Sequence, residues 1–203
     1  MPTFRRCLFV LAALLAWGGA DVALGGAGKR AAYDRCRAIS KGGAHKMGSY
    51  NASLERTCER FGCDPALVAA LITVESSWNP YAVRYEPGYQ WLYQPEKHAK
   101  RHGVTYDTEV ALQRVSWGLL QVLGATAREL GFNLPLPALC EPQLGIEYGI
   151  RYLVGLKRNY MQRDDLIAAY NAGSARKNAE GQYVNQRYVD KVKRVLKNHD
   201  GSR

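Results

Sequence analysis

The longest apolar run in this chain of 203 residues, Cys7 to Trp17, is only eleven residues long. A membrane-spanning helix needs about 20, so no segment is expected to cross a bilayer. No cysteine follows the run at lipoprotein spacing, since Cys7 lies at its beginning, and a lipid anchor is not expected. Cys58-x4-Cys63 has no second paired motif beside it, so the metal-site reading lacks half of its ligands. His98 and His102 stand four apart, but within a run of Lys97, Lys100 and Arg101 that reads as a solvated basic surface. The chain also lacks an internal repeat and any convincing long strand. The expected class is mainly α, with no metal and no cofactor.

What is present begins with an export signal. Arg5 and Arg6 precede the apolar run, and Gly18-Gly19-Ala20 supplies small residues after it. This is the pattern of a secretory signal, read here as residues 1–20, with a second cleavage position after Ala27. Removing it leaves four cysteines, Cys36, Cys58, Cys63 and Cys140. In an exported protein four cysteines are expected to form two disulfides, with all three connectivities open. The formal net charge of +10, with a pI near 9.5, falls to about +8 once Arg5 and Arg6 are gone. Behind an export signal this charge favours approach to an anionic envelope polymer rather than to nucleic acid.

Along the mature chain, residues 28–60 read as a short leader and helix, with Ser53–Phe61 helical, Leu54 and Phe61 inward, and Gly62 as the stop. Residues 61–198 form the main domain. Within it, residues 82–115 hold Tyr85, Tyr89, Trp91, Tyr93 and Tyr106, with prolines at 87 and 95 and no sustained period, and read as an aromatic, loop-rich insertion. Its aromatics are either sugar-stacking platforms or the core of the loop itself. Further helices are expected over 125–130, 144–160, 166–170 with Asp164 as cap, and 185–196. In the third-from-last of these, Gly145, Gly149 and Gly155 would permit close packing. The last carries a basic face of Lys191, Lys193, Arg194 and Lys197.

The most telling residue is Glu75. Asp64-Pro65 reads as an N-cap followed by proline at the first helical position. Leu67, Val68, Leu71 and Ile72 then mark a buried stripe that Glu75 continues, before Asn79-Pro80 stops the helix. A carboxyl on an apolar face is partly desolvated, which favours its protonated form and suits a general acid near neutral pH. The competing reading is a glutamate that turns outward at a fraying helix end.

Four separated segments decide between these readings. Glu75-Ser76, Ser116-x-Gly118-Leu119-Leu120-Gln121, Ala169-Tyr170-Asn171-Ala172-Gly173 and Tyr188-Val189-x-Lys191-Val192 occur in this order. Together they resemble the soluble lytic transglycosylase (SLT) family, whose catalytic domain has a lysozyme-like fold related to goose-type lysozymes. The resemblance covers about residues 60–196. It implies cleavage of the β-1,4 bond between N-acetylmuramic acid and N-acetylglucosamine in peptidoglycan glycan strands, leaving 1,6-anhydro ends, with Glu75 as sole acid and base. Tyr188 would orient Glu75, and Ser76 would polarise its surroundings or cap the chain reversal. Ser116 and Gln121 would hydrogen-bond the substrate, and Gly118 would let backbone approach the sugar or satisfy a turn. Asn171 would bind substrate or the charge at the anomeric centre, with Tyr170 beside it in a supporting or structural role.

Two departures from the family pattern stand out. The 82–115 spacer is longer than in compact members, and Leu120 stands where methionine is frequent, a swap that conserves volume. Glu86, in the spacer, is a candidate second carboxylate; Glu96, Asp107 and Glu109 are weaker ones. With Glu86 assisting a water, the alternative is a goose-type-like muramidase. A further alternative is a peptidoglycan-binding or assembly protein of a secretion or phage apparatus, with envelope or secretion-apparatus proteins as partners. Periplasmic or secreted placement follows from the signal, and the oligomeric state is left open.

Overall fold

The computed structural model describes residues 48–200; the export signal, most of the leader and Cys36 lie outside the described residues. Eight α-helices and one small sheet make up the described part. In chain order they are α1 (Gly48–Phe61), α2 (Pro65–Ser76), β1 (Val83–Tyr85), α3 (Pro95–His102), α4 (Tyr106–Gln113), β2 (Val115–Trp117), β3 (Val122–Leu123) and α5 (Gly124–Glu129). A 3₁₀ turn at Leu136–Cys140 leads to α6 (Pro142–Lys157), α7 (Arg163–Ala172) and α8 (Gln186–Asp200). The mainly α expectation holds. Among the described residues no helix is long and apolar enough to cross a membrane.

Helix α2 is the centre of the fold. The Asp64 side chain accepts the Ala66 amide at 3.0 Å, and Pro65 opens the first turn. Every residue from Pro65 to Ile72 is buried, so α2 is apolar all round rather than along one stripe, as a helix enclosed by others must be. Helices α1 and α8 pack against it, α6 packs on α1 and α7, and α7 packs on α8. Leu67, Val68, Leu71 and Ile72 each contribute about 1.5–3 kcal/mol by leaving water. The helix stops earlier than Pro80 requires. Ser77 and Trp78 both take left-handed backbone angles, φ 49° and 64°, at a cost of about 1–2 kcal/mol per residue. Burial of the Trp78 ring and its indole N–H donation to Thr73 Oγ1 at 2.9 Å offset that cost.

The sheet is antiparallel in the order β1-β2-β3. Val83 faces Trp117, Arg84 faces Ser116 and Tyr85 faces Val115, while Ser116 and Trp117 face Leu123 and Val122. Helix α6 fits tightly against the end of this sheet. A Cβ on Gly149 would lie 2.3 Å from Leu120 Cδ1, so the absent side chain there is a packing requirement. Gly155 has open space around its Cα instead, and the expectation of close packing fails at that position.

Several boundaries move. α6 starts at Pro142 and ends at Lys157, three residues before the expected end. Gln162, not Asp164, stands at the N-cap of α7, and Asp164 lies in its first turn.

The 82–115 insertion is more ordered than its composition implied. It contains α3 and α4, each bounded by signals present in the sequence: Pro95 opens α3, Gly103 in left-handed conformation closes it, and Thr105 caps α4 by accepting the Thr108 amide at 3.1 Å. Its interior is polar. Arg128 on α5 donates from Nε to Glu109 Oε1 at 2.9 Å and from Nη2 to Oε2 at 3.1 Å, while Nη1 reaches the carbonyls of Phe132 and Leu134. Gln113 completes the cluster, donating to Glu109 and to the Tyr93 carbonyl. His98 is buried rather than solvated, its ring stacked on His102 with centroids 6.5 Å apart. Burial, then the Arg128 charge, holds both imidazoles below the ordinary histidine range. Among the described residues no group of three or more His, Cys, Asp or Glu side chains is placed to hold a metal ion.

The expected pair of disulfides requires correction. Cys63 and Cys140 carry free thiols, each packed as a small apolar group against the core. Burial pushes the Cys140 thiol above its ordinary range, away from the reactive thiolate. Cys58 is buried within the core.

The buried pair yields a stability prediction. Arg128→Met leaves Glu109 as an uncompensated buried charge and should cost about 3–5 kcal/mol, read as a lower urea midpoint. A change below about 1 kcal/mol would show that solvent reaches Glu109.

Candidate active site

Glu75 sits in the last turn of α2, where all-round burial gives way to an opening. Helix α8 lies across it and places Tyr188 so that its hydroxyl donates to Glu75 Oε1 at 2.6 Å. Val189 and Val192, both fully buried, fix the helix face from which Tyr188 projects. Burial raises the Glu75 carboxyl above its ordinary range and is the largest influence on it. The Tyr188 hydrogen bond and the Arg84 charge lower it, and the Glu86 charge raises it. The net result is a carboxyl that holds its proton more firmly than a solvated glutamate. Tyr188 in turn is pushed far above the usual phenol range by burial, by the Glu75 charge and by the bond itself, so it stays a donor.

The turn after β2 is locked to this site from several sides. The Ser76 hydroxyl donates to the Leu119 carbonyl at 2.8 Å, with Ile72 O as a second acceptor at 3.2 Å. From α7, the buried Tyr170 hydroxyl donates to the Leu120 carbonyl at 2.8 Å. Gly118 takes φ 71°, and a Cβ there would lie 2.4 Å from the Leu139 carbonyl oxygen. Its missing side chain makes room for the 3₁₀ turn, as the turn reading of this glycine requires. Gln121 also has a left-handed backbone, φ 47°. Its amide nitrogen donates to the carbonyls of Ala82 and Gly118, both at 2.9 Å, which leaves only its side-chain oxygen for a ligand. Ser116 is buried in β2 opposite Arg84. Ser116, Gly118 and Gln121 therefore build the turn that Ser76, next to Glu75, holds at the Leu119 carbonyl.

Asn171 is exposed at the end of α7. Its side-chain oxygen accepts from Asn185 Nδ2 at 3.0 Å, and Asn185 also donates to the Ala168 carbonyl at 3.0 Å. With its oxygen occupied, Asn171 presents its own NH₂ group as a donor. Asn185 was missed in the sequence. Its position just before α8, where its carbonyl accepts the Tyr188 and Val189 amides, is the helix-start signal that could have found it.

The other carboxylates separate clearly. Glu86 lies just past β1, its amide donating to the Arg114 carbonyl at 2.7 Å, and its carboxylate pairs with Arg84. It reaches Glu75 through its charge rather than by a hydrogen bond. Glu109 is committed to Arg128, and Glu96 and Asp107 are exposed.

Residues 52–192 match the family model of the transglycosylase SLT domain. The chain belongs to this family. Curated relatives are named membrane-bound lytic murein transglycosylase C. That of Edwardsiella ictaluri is 30% identical over 139 residues, covering 64% of this chain and 32% of its own. That of Haemophilus influenzae (strain PittEE) is 25% identical over 170 residues, covering 72% and 40%. That of Serratia proteamaculans is 29% identical over 139 residues, covering 64% and 32%. The chain thus spans between about a third and two fifths of the length of these relatives. No solved structure matches the chain at a significant level. Membership accounts for the lysozyme-like helical architecture, and the SLT match takes in all four segments and none of the chain before residue 52.

Two outcomes follow from the environment of Glu75 in this SLT domain. Tyr188→Phe removes a donor that favours the carboxylate, so the Glu75 titration should move upward, visible by carboxyl NMR as a later midpoint. An unchanged midpoint would mean that Tyr188 only packs. The second outcome concerns stability. A carboxyl whose folded pKa is raised costs stability as pH climbs from the unfolded value through the folded one. Glu75→Gln, which cannot ionise, should therefore gain stability relative to the wild type as pH rises through that window. Below the ordinary carboxyl range the gain should vanish, as measured by urea unfolding across pH.

Proposed function

We propose that this protein is an exported lytic transglycosylase that cleaves the bond between N-acetylmuramic acid and N-acetylglucosamine in peptidoglycan, with Glu75 as the single acid and base. The observation that carries this reading is one carboxyl, raised by burial and held by Tyr188 at 2.6 Å, next to the Ser76 that bonds the turn of the 116–121 segment. In the first step the Glu75 proton passes to the glycosidic oxygen, the bond from C1 to that oxygen breaks, and N-acetylglucosamine leaves with a free 4-hydroxyl. Glu75 is now a carboxylate, and the Tyr188 hydroxyl stabilises it. In the second step Glu75 takes the proton of the muramyl C6 hydroxyl as that oxygen closes on C1. The product is a 1,6-anhydro end, no water is consumed, and the acid is restored.

One carboxyl suffices because the substrate supplies its own nucleophile. Hydrolysing glycosidases instead need two carboxyls at defined separations. The scheme calls for no metal and no organic cofactor. Asn171, with its NH₂ group turned outward by Asn185, is suited to bind an acetamido or ring oxygen near the anomeric centre. The basic composition, +10 in all, supports an anionic wall polymer as partner, with the protein periplasmic or secreted. The alternative hydrolase would use Glu86, whose carboxylate is instead engaged with Arg84.

The test is mass spectrometry of peptidoglycan digested by the full protein and by Glu75→Gln. Products one water lighter than hydrolytic muropeptides are expected, with at least about a 100-fold loss in the variant. Reducing ends would establish a hydrolase, and an absence of products from the wild type would leave binding as the function.

A further inference from the structure

Strand β1 is exposed along its whole length, and alternate residues along a strand point to opposite faces. Arg84 and the Glu86 that pairs with it share one face, while Val83 and Tyr85 point the other way. Across the sheet Arg84 stands opposite Ser116, whose strand leads into the turn that holds Ser76, the neighbour of Glu75, at the Leu119 carbonyl. Among the described residues Glu75 is hydrogen-bonded by Tyr188 from α8, and the charged groups that act on it are the Arg84 and Glu86 side chains. Arg84 is the only cation among them. Its side chain is 64% exposed, and only its Nε is engaged, by Glu86 Oε1. The terminal nitrogens Nη1 and Nη2 have no protein partner among the described residues. Glu86 thus holds the guanidinium by one edge and leaves its exposed terminal nitrogens open to a ligand.

Such a fork matches a carboxylate bidentately, and fixing it beforehand lessens the entropy lost on binding. Resting on the proposed cleavage at a muramyl residue, the neighbouring anion is one carried by that sugar. We propose that the Nη end of Arg84 is a carboxylate subsite, which binds the anionic substituent of the muramyl unit beside the scissile bond. The carboxylate belongs to the stem peptide on substituted strands, or to the free lactyl group on strands stripped of peptide. In this role Arg84 selects the substrate and sets the register of the strand.

The experiment compares the full protein carrying Glu75→Gln with the same protein also carrying Arg84→Lys. Binding is measured by calorimetry to peptide-bearing strands, to amidase-stripped strands and to a chito-oligosaccharide, which has no carboxylate. Lysine keeps the charge and loses the fork. We expect about a tenfold higher Kd for at least one carboxylate-bearing strand relative to the chito-oligosaccharide. A loss confined to peptide-bearing strands assigns the stem peptide, and one confined to stripped strands assigns the lactyl group. Equal affinities for all three ligands, or the same loss on all three, would overturn the subsite. Because binding is read without turnover, failure of the wild type to form anhydro ends would count against the proposed reaction alone.

Discussion

The hydrogen bond from Tyr188 to Glu75 is the point at which two opposed requirements meet. Helix α2 is enclosed on every side from Pro65 to Ile72, and that enclosure gives the domain its core. The same enclosure takes water from the carboxyl at the helix end, which raises it. Without an internal donor the ionised form would be penalised heavily, and the proposed acid-base cycle would lose its second half. Tyr188 supplies that donor while remaining neutral itself, since burial and the adjacent carboxylate drive its own ionisation out of range. Packing thus makes the acid, and one hydroxyl keeps its conjugate base accessible.

The turn from Gly118 to Gln121 ties the remaining elements to that point. Ser76 and Tyr170 bring α2 and α7 to two successive carbonyls, those of Leu119 and Leu120. The Leu120 side chain then fills the space left open by Gly149 on α6. Three helices therefore converge on two residues of one turn. Two left-handed residues in it, Gly118 and Gln121, aim the chain so that this convergence is possible. The non-glycine one is held there by two hydrogen bonds from its own side chain, consistent with strain maintained by surrounding contacts.

What could be read in advance followed the range of the interactions. The α2 cap, the approximate places of the helices outside the insertion, and the pairing of Glu75 with Tyr188 rest on periodicity or on the ordered family segments, and were legible. The function of the glycines was only half legible. Gly149 and Gly118 are small because of Leu120 and the Leu139 carbonyl, neighbours that a single sequence does not place. The α3 and α4 helices carried readable caps, but a dense run of aromatics and prolines outweighed them. Their buried Glu109–Arg128 pair joins positions nineteen residues apart, which no local pattern connects. The cysteines misled for a related reason. An even count behind an export signal is a statement about compartment, whereas a disulfide also needs two sulfurs within bonding distance. Cys63 and Cys140 instead fill apolar space.

Arg84 and Glu86 complete the electrostatic logic of the site. The proposed cycle needs Glu75 as an acid at its start and as a base midway through it. A lone cation beside it would favour the carboxylate throughout and weaken the acid, and a lone anion would do the reverse. Paired at the end of β1, the two act on Glu75 in opposite directions, which leaves burial and Tyr188 as the governing influences. The pair is exposed, so its charges are partly screened by solvent, and its fine control of Glu75 is modest. That exposure is what a ligand-facing group requires. A guanidinium held by one edge can answer to the carboxylate within the protein and to a second one outside it. In the proposed reaction the insertion that carries β1 would thus bear on the acid and on the substrate at one place.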